Sequence, residues 1–283
     1  MANEIGLTEV TAASQDIVAN IVQTVLKQES ILMPTVSDYS RFAVAGSKTV
    51  KVPKRTQFAA ADKTENTSLT NQVLTFTTDD IALTKHKAIL ATLERIAGVQ
   101  ANVNVASEIL VESAKELALQ IDKDLIVQLK LVSTAAPDHL LDYSNTPTDT
   151  ILQTDILEAR RLLNTQIVPM SDRFMVISPD QEKAMLLISD FVRADAYGNA
   201  GGLINAEIGR VYGFTVLMHT QLAGNQSLFY HKSHVGMAMQ MAPQYATNFD
   251  LPSVSDQYLL HELYGMIVLD AGKRGVFFNG TGS

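Results

Sequence analysis

The sequence predicts an elongated α+β fold, and three observations carry that expectation. Residues 102–132 form a long, helix-periodic segment without Gly or Pro. Residues 45–80 pair two strand-like runs across a long polar tip, which is the pattern of an extended β-hairpin. Residues 150–225 alternate helix and strand patterns, and further strands follow over 226–283.

The periodic segment reads NVNVASEILVESAKELALQIDKDLIVQLKLV. Val103, Ala106, Leu110, Ala114, Leu117, Ile121, Ile126 and Leu129 recur at helical steps, and Asn102 or Asn104 is placed to cap its start. About thirty residues at 1.5 Å rise make a rod of roughly 45 Å. Before it, IALTKHKAILATL (81–93) predicts a strand turning into a short helix near Thr92. In the hairpin, SKTVKVP and VLTFTT (73–78) are the strands, and AAADKTENTSLTN (59–71) has too little apolar content to fold onto a core. Such a tip is disordered or held by another chain. Residues 5–33 read as an amphipathic arm, with Ile17, Ile21, Val25 and Leu26 at helical spacing before Pro34.

A boundary falls in the Pro-, Asn- and Asp-rich stretch 134–150. Beyond it, DILEARRLLN (155–164) is an amphipathic helix and RFMVIS (173–178) a buried strand. SPDQEKAMLLI (178–188) carries a helix start: Ser178 at N-cap, Pro179 at N1, Gln181 at N3 to close a capping box. ADAYGNAGG (194–202) is a loop, and SLFYH, VGMAMQM and YGMIVLDAGKRGVFF supply further strands.

Composition narrows the function. The 283 residues are 46% apolar but only 18% charged, against roughly 25% in ordinary domains. Thin charge suits a surface buried against neighbours. The net charge of −8 argues against salt-dependent phosphate binding. The densest basic run is KTVKVPKR (48–55), with Lys48, Lys51, Lys54 and Arg55. Without cysteine there are no disulfides or thiolate metal sites. Neither a secretory signal nor an 18-residue apolar window is present, so synthesis and folding in the cytosol are expected.

Chemical motifs are weak. HKSH (231–234) lacks converging ligands and reads as a surface turn, and HELYG (261–265) lacks the second His of a zincin helix. The patterns of P-loops, dinucleotide folds and nucleophile elbows are absent. Asp79–Asp80 and Asp122–Asp124 read as solvated carboxylates, and Met237, Met239 and Met241 as core packing on one strand face. No catalytic residue, cofactor site or metal site is assigned, and the residues point to a structural or interaction protein.

LINAEIGRVYGFTVLMHTQL (203–222) resembles a recurring element of the major capsid proteins of tailed bacteriophages, those with the HK97-like fold. Ile208, Gly209, Val211, Gly213, Phe214, Val216 and Leu222 fit the family pattern. Asn205-Ala206 departs from the usual Asn-Gly, and His219 stands where a small hydroxyl residue is common. ELALQIDKDLI (116–126), with Ala118 and Asp122, looks like the end of the family's spine helix, and RFMVISPDQEKAMLLI like its strand-then-helix. Gly209 and Gly213 are then structural glycines, serving a tight turn and close backbone packing. A glycine bend in an unrelated α/β protein, or a ligand loop, are the other readings of that pair.

The resemblance implies an N-terminal arm (1–44), an E-loop hairpin (45–80), a P-domain with the spine helix (81–149), an A-domain (150–225) and returning strands (226–283). It implies hexamers and pentamers of an icosahedral shell around double-stranded DNA, a separate scaffolding protein, a portal at one vertex, assembly in the host cytoplasm and no enzymatic activity or crosslink. Inter-subunit contacts are expected at Lys48, Lys51, Lys54, Arg55, Asp195 and Tyr197. Two alternatives stand: an encapsulin-like nanocompartment shell, or a small-molecule α/β enzyme whose pocket would gather His231, His234 and Glu262.

Overall fold

The computed structural model describes residues 4–5, 30–56, 58–96, 105–145, 148–188 and 209–280. The expected arm helix with Ile17, Ile21, Val25 and Leu26, and the loop with Asp195 and Tyr197, lie outside the described residues.

In chain order the strands and helices are β1 (Glu4–Ile5), β2 (Ser37–Asp38), β3 (Thr49–Arg55), β4 (Phe76–Ala82), β5 (Lys85–Glu94), α1 (Val105–Leu129), β6 (Leu140–Leu141), α2 (Gln153–Thr165), β7 (Arg173–Ile177) and α3 (Pro179–Leu186). Then come β8 (Arg210–Val211), β9 (Phe214–Met218), β10 (Gln226–His231), β11 (Val235–Asp250), β12 (Ser255–Val268) and β13 (Gly275–Asn279). They build a five-stranded sheet ordered β1-β5-β12-β11-β2, a six-stranded sheet ordered β6-β13-β10-β7-β9-β8, and the separate ribbon β3-β4. Of the returning strands, β11 and β12 join the first sheet while β10 and β13 join the second.

Helix α1 lies on the five-stranded sheet. Its 25 residues span about 37 Å, and Leu117, Ile121, Leu125, Ile126 and Leu129 are buried from its second half. Ile121, Leu125, Ile126 and Leu129 form one core with Leu32, Val36, Tyr230, Met237 and Tyr264. A second core, around Ile156, Leu162, Met175, Phe214, Phe229 and Phe278, packs α2 and α3 against the six-stranded sheet.

Several local expectations change. The strand over 81–93 is divided between the end of β4 and β5, and its turn into helix comes at Arg95 rather than Thr92; β5 runs to Glu94 because it is paired along its length with β12, from Tyr264↔Lys85 to Ser255↔Glu94. The second hairpin strand is 76–82, not 73–78, fixed by the register Thr49↔Ala82 to Arg55↔Phe76. Ser178 does cap α3, its hydroxyl accepting from the Gln181 amide at 3.3 Å. The reciprocal half of the box is missing: Gln181 Oε1 accepts from Ile151 N and its Nε2 donates to Asp149 O, tying the helix start to the preceding loop.

Two polar expectations are overturned. Asp122 is wholly buried rather than solvated. HKSH is not a surface turn throughout, because His234 is also wholly buried, with Nε2 facing the Leu129 carbonyl at 3.3 Å. Burial pulls that imidazole down to about 4.

Candidate assembly surface

The β3-β4 ribbon is anchored at its root. Val50, Ile81 and Leu83 are buried there with Ala238 of β11. The close approach depends on Gly265 in β12, where an added Cβ would stand 2.1 Å from the Ala82 carbonyl oxygen. A charged cluster holds the ribbon again further out, near the Arg55↔Phe76 end of its ladder. Lys54 pairs with Asp270, Arg274 Nε lies 3.3 Å from the other oxygen of that carboxylate, and Asp79 accepts from the Asp270 amide at 3.3 Å. Burial alone would raise the Asp270 carboxyl, but Lys54 and Arg274 together hold it below the ordinary carboxylate range.

Past Arg55 the ribbon leaves the body. Gln72 bridges the strands by accepting from the Ala59 amide at 2.9 Å, and Thr56 and Thr75 pair across it. Phe58, Leu69, Val73 and Phe76 are all more than half exposed on this segment. Lys48, Lys51 and Arg55 are exposed and form no ion pair with another described residue, whereas Lys54 is engaged within its own chain.

Gly213 and Tyr212 both have positive φ, +89° and +46°, in a two-residue turn that pairs Val211 with Phe214. That geometry asks for glycine. A Cβ at Gly209 or Gly213 would meet no described atom within 4 Å, so close packing is found at neither. Gly209 contributes its carbonyl, which accepts from Val216 N at 3.2 Å.

Two buried carboxylates and one half-buried one were not foreseen. Asp122 Oδ2 accepts from the Ile31 amide at 2.9 Å and lies 3.2 Å from His219 Nε2, while Oδ1 accepts from the Ser30 hydroxyl. Asp124, two residues on and so on another side of the helix, meets Lys85, Lys87 and the Tyr264 hydroxyl. Glu262 is wholly buried, and among the described residues neither carboxylate oxygen has a hydrogen-bond partner. Burial, and then the nearby Asp124 charge, push its carboxyl up to about 7 against the pull of Lys87. It borders a groove of about 1020 Å³ with Met33, Val36, Ala118 and Met237.

The gathering expected of an enzyme pocket does not occur. Glu262 lines that groove, His231 lines a different depression of about 530 Å³ with Asp270 and Arg274, and His234 is enclosed in the core. Among the described residues no group of three or more His, Asp and Glu side chains is placed to hold a metal ion. No described helix is long and apolar enough to cross a membrane.

A ribbon with an apolar, unsupported end beside a helix-backed sheet is a shape that needs a neighbour. The sequence model of a phage capsid protein family matches residues 78–247, which include β5, α1 and most of the α/β unit. The chain belongs to that family. No curated protein matches it. Among solved structures, a chain from Mycobacterium phage Che8 superposes with a TM-score of 0.78 at 20% identity, covering 95% of this chain and 97% of that one. The capsid of cyanophage P-SCSP1u gives 0.78 at 14% identity, over 95% and 93%. The capsid of a native GTA particle gives 0.72 at 12% identity, over 98% and 99%. These likenesses show a shared HK97-like fold, and with the family match they make the chain a major capsid shell protein. The nanocompartment alternative is not favoured.

Proposed function

We propose that the chain assembles into hexamers and pentamers of an icosahedral shell that encloses double-stranded viral DNA in the host cytoplasm, with a separate scaffolding protein and a portal at one vertex. In this reading 1–44 is the arm, 45–80 the E-loop, 81–149 the P-domain, 150–225 the A-domain, and 226–283 the returning strands. The chain acts as a structural element and catalyses nothing. Asp195 and Tyr197 meet neighbours around the symmetry axes.

The observation that carries the proposal is the ribbon beyond Arg55, whose Phe58, Leu69, Val73 and Phe76 are exposed in the single chain. Laid over a neighbouring copy, each large side chain contributes about 1.5–3 kcal/mol on full burial. An exposed ion pair contributes about 0–1 kcal/mol. Lys48, Lys51 and Arg55 therefore set orientation at this contact, and the apolar residues supply its strength. Lys54 is already committed to Asp270, so its share of the contact is indirect: it holds the ribbon at the angle from which it reaches out. Symmetry then multiplies one modest contact into a closed shell.

Negative-stain microscopy and sedimentation of the purified protein test this. Rings or closed particles are expected. A compact monomer in which residues 57–75 resist protease would overturn it.

A further inference from the structure

One pair of metal-ligating side chains stands outside everything described so far. Of the six histidines, His139, His219 and His234 are wholly buried and His231 is half-buried. His86 and His261 share the sheet face turned away from α1. The pleat places them there: Lys85 and Lys87 of β5 reach Asp124 on α1, so His86 between them points the other way. Likewise Tyr264 of β12 reaches Asp124 and Glu262 is enclosed on the same side, which turns His261 outward.

The register sets His86 opposite Leu263 and His261 opposite Ala88, a diagonal relation within reach of ring side chains. His86 Nε2 lies 3.3 Å from His261 Nδ1, and the rings meet edge to face with centroids 5.4 Å apart. Among the described residues neither ring has another hydrogen-bond partner. Gln244 of β11 is directly opposite His261 and therefore on the same face, exposed.

We propose that His86 and His261 form a two-imidazole site for a divalent transition-metal ion, with the Gln244 amide oxygen beside it and the remaining positions open to water. Two nitrogens held about 2.0–2.1 Å from one ion stand roughly 3.3–3.4 Å apart in a tetrahedron and roughly 2.8–3.0 Å apart as neighbours in a square plane, so the spacing already present suits the first and needs a small ring shift for the second. Imidazole selects Cu(II), Ni(II) and Zn(II) over Mg(II) and Ca(II), and the order of affinity puts Cu(II) first. The two strands are joined by a continuous ladder, so the pair is preorganised and little is lost in bringing the rings together. Both rings belong to one chain, so each subunit carries one site.

The test uses untagged full-length protein titrated with copper(II) sulfate and with zinc chloride. Calorimetry is expected to give one ion per chain, with Cu(II) bound more tightly than Zn(II). Electron paramagnetic resonance of the copper form is expected to show two equatorial imidazole nitrogens. His86→Ala and His261→Ala should each weaken copper binding at least ten-fold and remove the two-nitrogen signature, while His231→Ala leaves both unchanged. Wild-type copper spectra with fewer than two nitrogens, or equal uptake by the double variant His86→Ala/His261→Ala, would show only a hydrogen-bonded histidine pair and end the proposal. The wild-type spectrum decides the matter even if a variant folds poorly.

Discussion

His219 Nε2 and Asp122 Oδ2 lie 3.2 Å apart, ninety-seven positions away in sequence, with neither side chain reaching solvent. The same carboxylate takes Ser30 and Ile31, so a single group of α1 ties the end of the arm to the segment following β9. His219 is one of the two departures from the family pattern noted in the sequence, and its partner is the Asp of the spine-helix ending. Removing one member of a buried, hydrogen-bonded pair strands the other. Asp122→Ala is therefore expected to cost about 3–5 kcal/mol, read from urea unfolding, and Asp122→Asn less, because an amide oxygen still accepts from Ile31.

Gly265 is the second sensitive position. A methyl group there would overlap the Ala82 carbonyl, which is backbone and has no rotamer to relieve the clash. Gly265→Ala should destabilise by about 1–3 kcal/mol or more. Hydrogen exchange should accelerate in 49–55 and 76–82 before the rest of the sheet. Uniform acceleration would place the strain elsewhere.

These two sites mark the limit of what the sequence discloses. The α1 rod, the Ser178 cap and the hairpin are written in local periodicity and turn chemistry, and each is found within a few residues of its expected bounds. Asp122 with His219, Lys54 with Asp270 and Gly265 with Ala82 bring together groups far apart in the chain. Nothing in the spacing of either member announces the other. The same reason shifts the end of β5: the turn into helix expected near Thr92 falls at Arg95, because the β12 ladder holds the chain extended to Glu94. Carboxylates were misread for a related cause, since DKD on a helix looks solvated until the arm and a distant histidine cover one of the two. On the ribbon the exposed cations are legible in the sequence and the exposed apolar residues are not, because Phe58 and Phe76 are core-like by type and exposed only by topology.

Glu262 gives a pH signature. Its folded-state carboxyl is raised to about 7, above the ordinary glutamate value, so the folded protein retains a proton that the unfolded chain releases. Stability from this group is thus undiminished at acid pH, declines as pH rises from the ordinary glutamate range towards 7, and levels off above. Glu262→Gln removes the titration. The variant should match the parent in thermal midpoint near pH 4 and exceed it progressively to pH 8. An equal offset at all pH values would mean that packing, not ionisation, governs this site.

The ribbon is where stability and function should part. Phe58 and Phe76 contact little in the lone subunit, so Phe58→Ser with Phe76→Ser should change its unfolding free energy by no more than about 0.5 kcal/mol. In the shell the same two rings would be covered by a neighbour, and losing them forfeits about 3–6 kcal/mol per subunit contact. Assembly depends steeply on each contact because every subunit repeats it. Sedimentation should therefore show the double variant as folded, unassembled subunits under conditions where the parent forms particles. Replacing Lys48 and Lys51 by Ala should instead slow assembly and make it less sensitive to salt while leaving particles intact, since screened surface charges act mainly on approach and register. If the lysine variant fails to assemble and the phenylalanine variant succeeds, charge rather than apolar burial holds the ribbon to its neighbour.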